Sequence, residues 1–372
     1  MGIYLDHAAT TPLRAEVKSA MIEAMDRFGN PSSAHQWGRE AKAAINRYRK
    51  TIAEIIGCSP TEIIFTSGGT ESNNMAIKGL LDSGRVRHLV TGNLEHDAVL
   101  KPVQKAEEKG FAVDFVEHND DGQITLKEIQ NRPLTDRTLV SLMMVNNEIG
   151  ILNDVRGVAN YAREKGAIFH TDAVQALGIY DINVSDLPVD MLSCSAHKFN
   201  GPKGSGFLYV RSGTNISPLS LGGSQENGMR PGTTDIVGIC GLAIALELAH
   251  ANRENHYEHL RKVKTRLVDR LKSEIPSVCF NGSVNPSKSS PKILSVSIDP
   301  ALGGDNLLFK MDLHGVALSG GSACSSGAQK ASHVQEALGN EWPTLRFSFG
   351  TDTTLAEIDS AADILKKVLK MT

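Results

Sequence analysis

Lys198 sits in Ser193-Cys194-Ser195-Ala196-His197-Lys198-Phe199-Asn200-Gly201-Pro202-Lys203-Gly204, where a short apolar run gives way to a polar, glycine-bounded turn. A lysine just past a strand, beside a serine, a histidine and flexible glycines, is placed where its amine can be desolvated and held as a Schiff base with an aldehyde. A surface lysine in a loop has the same local sequence, so the assignment depends on the groups that the rest of the chain brings to it. Thr66-Ser67-Gly68-Gly69-Thr70-Glu71-Ser72-Asn73-Asn74 joins a strand pattern to a helix pattern through two glycines. Backbone at Gly68 and Gly69 can approach an anion closely, and the helix N-terminus offers unpaired N–H groups. Thr70 then either caps the helix or binds phosphate. The GxxxxGK[ST] spacing of a P-loop is not present.

Three further polar clusters follow predicted strands. Glu95-His96-Asp97 puts His96 either over a planar ring or at a helix cap. Asn146-Asn147-Glu148-Ile149-Gly150 makes Asn147 a candidate for a substrate carboxylate or a cofactor oxygen, against a plain turn role. In His170-Thr171-Asp172-Ala173-Val174-Gln175, a buried Asp172 carboxylate needs a partner, and a protonated pyridine nitrogen would supply one. An N-cap aspartate is the alternative. Gln175 is placed to reach a phenolic oxygen on such a ring. Together these strand ends offer a phosphate cradle, a stacking imidazole, a carboxylate for a ring nitrogen, an amide for a phenolate and a Schiff-base lysine, which is the set that pyridoxal phosphate requires.

The elements that must position these groups read as alternating strands and helices. Strands are predicted over 62–66, 88–91, 113–116, 139–143, 167–170, 191–193 and 206–210, with helices from Thr70, from Asp97 and after Asp154. That rhythm is an α/β fold with a mainly parallel sheet, whose ligand lies beyond the carboxyl ends of the strands. Two helices precede it, Ala15 to Phe28 and a second one ending near Gly57 whose apolar stripe includes Trp37. Residues 235–272 read as one or two long helices leading to a smaller C-terminal α/β unit. That unit has strands at 293–298, 316–318 and 344–348, a helix over 305–314 and a last amphipathic helix. The division expected is a large domain over 15–250 and a small domain made of 1–14 and 251–372.

With 372 residues and 41% hydrophobic content, the chain has enough apolar material for two domains. A net charge of −3 without a basic block argues against direct nucleic-acid binding as the main function. No run approaches the ~18 apolar residues of a membrane span, and the N-terminus lacks a charged and apolar leader pattern, so a cytoplasmic protein without membrane attachment is expected. Five scattered cysteines without a CxxC pair suit reduced thiols, with neither a disulfide framework nor a metal site.

With these residues in place, the chain resembles the cysteine desulfurases of the class V aminotransferase group, long-loop branch. The resemblance is carried by Tyr4-Leu5-Asp6-His7-Ala8-Ala9-Thr10-Thr11-Pro12, the Ser67 to Asn74 run, Asn146 to Gly150, His170 to Gln175, Ala196-His197-Lys198, Arg230-Pro231-Gly232-Thr233, Gly321-Ser322-Ala323-Cys324 and Leu345-Arg346-Phe347-Ser348. It implies an aspartate-aminotransferase-type (fold type I) enzyme bound to pyridoxal 5′-phosphate. Lys198 would be the Schiff-base lysine, with His96 on the ring, Asp172 on the pyridinium and Gln175 on the phenolate. Thr70, Ser195 and His197 would hold the phosphate, and Thr233 would reach it from the other subunit of a homodimer. Arg346, with bidentate geometry, and Asn147 would bind the substrate carboxylate.

Cys324 separates this resemblance from a plain transaminase. It lies in Ser319 to Ala328, a run of small residues with little to pack, suited to carrying a thiol between sites. At a reference pKa near 8.5, only about 3% of such a thiol is thiolate at pH 7, so it needs local activation, for which His96 is a candidate. The implied reaction converts L-cysteine to L-alanine, leaving a persulfide on Cys324 for sulfur-acceptor proteins of iron-sulfur cluster biogenesis or tRNA thiolation. Two alternatives stay open: a selenocysteine lyase or other class V lyase or aminotransferase, and a non-catalytic sulfur-carrier scaffold. Three stretches depart from the common pattern. His7 stands where many relatives have asparagine, Ile151-Leu152-Asn153-Asp154 replaces a form with Gln and Pro, and the chain after Thr233 is short. The first two are expected to alter the rim of the site.

Overall fold

The structure, a computed structural model, describes residues 2–302, 306–320 and 332–369. It begins with strand β1 (Ile3–Tyr4) and helices α1 (Ala15–Met25) and α2 (Gln36–Ile56). The alternating part follows as β2 (Ile63–Thr66), α3 (Gly69–Asp82), β3 (His88–Gly92), α4 (Asp97–Glu108), β4 (Ala112–Val116), α5 (Leu126–Gln130), β5 (Thr138–Ser141), α6 (Val155–Glu164), β6 (Ile168–Asp172), β7 (Met191–Ser195) and β8 (Gly206–Val210). Helices α7 (Ile236–Ala251) and α8 (Arg253–Glu274) meet at a bend of 74°. The chain closes with β9 (Val278–Phe280), β10 (Ile293–Ile298), α9 (Leu307–Leu313), β11 (Val316–Ala317), α10 (His333–Ala337), β12 (Thr344–Ser348) and α11 (Leu355–Val368).

Strands β2 to β8 form one seven-stranded sheet in the order β2-β8-β7-β6-β5-β3-β4. Apart from the edge strand β4, its strands are short, largely buried runs, as a sheet covered by helices on both sides requires. The pairs from β4 through β7 are parallel, whereas β8 runs antiparallel to both β7 and β2. Two antiparallel steps restore the direction. Hence β2, β3, β5, β6 and β7 all end at the same edge, and β8 begins there. One apolar core lies between this sheet and α2, α6 and α7, and a second lies under α3 and α4 on the other face. Helix α7 is apolar all round because its sides are packed between neighbours. Helix α2 stops at Gly57, whose φ of 71° is the left-handed cap that glycine adopts without strain.

A third core gathers Leu5, α8, α9, α11 and the antiparallel sheet β12-β10-β9. Strand β1 pairs with β11, so the N-terminus is built into this C-terminal unit. The sequence placed β10 and β12 at their observed limits. It ran β11 one residue too far and missed β9, whose three residues are too few to show a period. The predicted 305–314 helix is observed as α9, with residue 305 outside the described residues. Among the described residues, no single helix is long and apolar enough to cross a membrane.

Candidate active site

The shared edge of the large sheet frames a cavity of about 430 Å³. Gly69, Thr70, His96, Asn147, Asp172, Gln175, Ser195, His197, Lys198 and Arg346 all line it. Strand direction accounts for this convergence, since each residue but Arg346 lies at or past the carboxyl end of a strand that points to this edge. Two expected site residues are not among them. Thr233 is exposed and away from the cavity of its own chain, and Cys324 lies outside the described residues.

At the floor, β6 delivers Asp172, which is buried. Its Oδ2 accepts from Asn73 Nδ2 at 2.7 Å, and its Oδ1 accepts from the Val174 N–H at 2.9 Å. Both donors are neutral, so they orient the carboxylate without cancelling its charge. Gln175 Nε2 donates to the Ala8 carbonyl at 2.9 Å, while its buried Oε1 has no partner among the described residues. The expectation was an amide N–H for a phenolate; the observed bond already occupies one such donor and leaves the other.

One wall is the turn into α3. Gly68 has φ of 141°, a conformation that favours glycine, and a Cβ there would lie 3.2 Å from Ser195 Oγ. A Cβ on Gly69 would meet Val174 Cγ2 at 2.7 Å. These glycines therefore keep open a space between the first turn of α3 and Ser195. The N–H groups of that turn have no intrahelical acceptor. Ser67 N–H is held by Glu71 Oε2 at 2.6 Å, and Glu71 pairs with Arg230 at 3.0 Å, which ties the motif around residue 230 to the cradle.

Lys198 closes the opposite side. Its Nζ donates to the carbonyls of Ala8 and Ala9 at 2.6 and 2.8 Å. Thr11 fixes the same turn by donating both its N–H and its hydroxyl to the His197 carbonyl, each at 2.9 Å. The His197 ring contacts Thr10 Oγ1 at 3.1 Å, and burial, aided by the Lys198 charge, lowers its pKa to about 4, so it is neutral at pH 7. The N-terminal segment thus holds the lysine turn, a role that the motif around Asp6 does not announce.

His96 is both things the sequence allowed. It lines the cavity and caps α4, its Nδ1 accepting from the Ala98 N–H at 3.0 Å. Beneath it lies Glu95, which the sequence did not single out. Glu95 Oε1 accepts from the Met143 N–H at 2.6 Å, and burial raises its carboxyl well above the usual range. Asn147 is presented by a turn that Asn146 builds, accepting from the N–H groups of Glu148 and Ile149.

Arg346 enters from β12 and is almost fully buried. Its Nη1 donates to the Asn147 carbonyl and its Nη2 to Asp6 Oδ1, both at 2.9 Å. Its Nε is buried without a partner among the described residues. The bidentate grip expected on a substrate is here engaged with Asp6 and Asn147. The first two departures from the common pattern do not line the cavity. His7 is buried against Gly350, and Ile151 is a core residue bridging Ser289. Asn153 braces the loop after β5, and Asp154 caps α6.

The profile of the aminotransferase class-V family matches residues 3–360. The chain belongs to the aminotransferase class-V family. Among its relatives, a cysteine desulfurase IscS of Dictyoglomus turgidum is 41% identical over 99% of this chain and 94% of its own length. A solved NifS-like protein superposes with a TM-score of 0.92 at 34% identity, with both chains fully covered. A structure described as SspA in complex with cysteine superposes with a TM-score of 0.81 at 33% identity, covering 95% of this chain and all of that one.

Class-V enzymes of this kind depend on pyridoxal phosphate, and the residues present fit it. A buried, uncancelled carboxylate at Asp172 suits a pyridinium nitrogen. The glycine-lined space at the α3 N-terminus suits a phosphate. Lys198 is the amine between them, and the cavity is large enough for a ring together with an amino acid.

Proposed function

We propose that this class-V enzyme is a cysteine desulfurase that converts L-cysteine to L-alanine and holds the sulfur as a persulfide on Cys324. The observation that carries this is the convergence of Lys198, Asp172, His96 and Arg346 on one cavity in a chain whose full-length relatives are cysteine desulfurases. When bound, pyridoxal phosphate supplies an aldehyde for the amino group and a ring that accepts the electron pair released at the α-carbon. Asp172, oriented by Asn73, keeps the ring nitrogen protonated. Thr70, Ser195 and His197 hold the phosphate with the N-terminus of α3, and Gln175 donates to the phenolate. Arg346 and Asn147 bind the substrate carboxylate, Arg346 through the donor that its internal partners leave unmatched.

Lys198 takes the α-proton and returns a proton to the carbon skeleton. His96, beside the ring, is placed to accept the thiol proton. The Cys324 thiolate attacks the substrate sulfur, a sulfur–sulfur bond forms as the carbon–sulfur bond breaks, and the released carbon fragment is protonated to alanine. The persulfide then passes to an acceptor protein of iron-sulfur cluster assembly or tRNA thiolation in the cytoplasm. The working enzyme is a homodimer with Thr233 reaching the partner's phosphate, and the exposed apolar residues of α1 and α2 support this. We divide the chain into a large unit, 15–250, and a small one, 1–14 with 251–372, whose sequence includes Arg346 and Cys324. Purified protein should show a visible absorption band, and Lys198→Ala should abolish it. A band that persists in Lys198→Ala would overturn the assignment of the lysine.

A further inference from the structure

Lys292 is a buried lysine that the proposed chemistry does not use. It lies one residue before β10, and only 3% of it is exposed. Its Nζ donates to the carbonyl of Lys198 itself at 2.6 Å. Its own backbone is pinned on both sides, since Lys292 N–H donates to Ser290 Oγ at 3.3 Å and its carbonyl accepts from Phe349 N–H at 2.9 Å. The ammonium therefore ties the turn that carries Lys198 to the C-terminal sheet. Its other neighbours are mostly cationic or neutral. Lys198 and Arg346 act on it as like charges, and burial together with them lowers its pKa to about 7. His7, acted on by Lys292 and in the opposite sense by Asp352, is neutral, as is His197. Asp6 faces Arg346, and Arg14 and His256 border the small cavity that lies against both lysines. Among the described residues, no carboxylate forms an ion pair with Lys292. A buried lysine without a counter-ion is costly unless the site uses its charge.

We propose that Lys292 is a positioning residue for Lys198: it fixes the lysine turn through the Lys198 carbonyl, and its charge makes the nearby Lys198 nitrogen release its proton more readily. The effect matters because that nitrogen has to be unprotonated to accept a proton from the substrate, and a like charge in a low-dielectric setting is one of the few ways to favour that. This inference rests on the proposed role of Lys198. It concerns the resting protein before any substrate arrives, so it can be read without turnover.

The test is a pH titration of the visible band of the cofactor-loaded protein in the absence of substrate, comparing wild type with Lys292→Met, Lys292→Gln and Lys292→Arg. Met removes the charge and the hydrogen bond, Gln keeps a donor without the charge, and Arg keeps the charge. The midpoint should rise by about one pH unit, tenfold in proton affinity, in both Met and Gln variants and stay at the wild-type value in Arg. Should Lys292→Met fail to fold, Lys292→Gln carries the same prediction. Midpoints unchanged in Met and Gln, or an Arg variant shifted as far as Met, would overturn the inference while leaving the proposed function intact. A wild-type protein without the band would overturn the proposed function and this inference with it.

Discussion

The Asp172 carboxylate is oriented by a neighbour that carries no charge, the Asn73 amide, which bonds one of its oxygens. A hydrogen bond to a charged group contributes about 1.5–3 kcal/mol. Asn73→Ala should therefore weaken cofactor binding roughly tenfold or more without altering the fold, read by titrating apo protein with pyridoxal phosphate and following absorbance. Affinity equal to wild type would mean that Val174 N–H suffices to hold the carboxylate. Lys198, Asp172 and His96 were legible in the sequence as residues of one cavity because each is a polar residue at, or a few positions past, the end of an apolar strand. Asn73, Glu95 and Lys292 were not. Each acts on a partner about fifty to a hundred positions away, and the local sequence of a polar residue, whether in a helix, in a loop or before a strand, does not show which distant group it will meet.

At the scale of elements, the sequence showed which residues are apolar but not what covers them. The stripe of α1 and its extension included Val17, Ala24, Met25 and Phe28, and that of α2 began with Trp37. Val17 and Ala24 are buried against the chain's own core, whereas Phe28 is 77% and Trp37 is 56% exposed, their rings 6.0 Å apart. Ile22 and Met25 of α1 are also exposed. Exposed apolar side chains grouped in this way suit a protein contact, and a second copy of the chain is the occupant that the proposed dimer requires. Trp37→Glu should convert the dimer to monomer in sedimentation while the single chain stays folded by circular dichroism. A dimer unchanged by this substitution would move the interface elsewhere. The β-α alternation, by contrast, was readable almost throughout, because buried parallel strands are continuous apolar runs. The antiparallel course of β8 was not readable, since a strand buried on both faces has the same composition in either direction.

For the whole molecule, three buried histidines set a lower pH limit. Burial lowers His170 to about 3, and burial with the nearby Lys292 charge lowers His7 to about 4; His197 is at about 4 through burial and the lysines beside it. In the unfolded chain each titrates near 6.5. Between pH 6.5 and about 4 the unfolded chain binds more protons at these rings than the folded one, so their contribution to stability is full above 6.5 and is lost as pH falls through this window. Buried Lys292, lowered to about 7, acts in the same sense at higher pH, so thermal unfolding midpoints measured from pH 7.5 down to 4.5 should fall across the whole range. A flat profile across that range would contradict the buried, neutral state of these rings.

The central claim joins two parts of the chain, the lysine cavity and a cysteine more than a hundred residues further on. It is tested by incubating the purified, cofactor-loaded enzyme with L-cysteine, without an acceptor, and determining both the alanine formed and the mass of the Cys324 peptide. We expect one alanine per chain in the first turnover and a Cys324 peptide heavier by one sulfur atom, with both lost in Cys324→Ser. Alanine and free sulfide formed at the wild-type rate by Cys324→Ser, or added sulfur found on another cysteine, would contradict it.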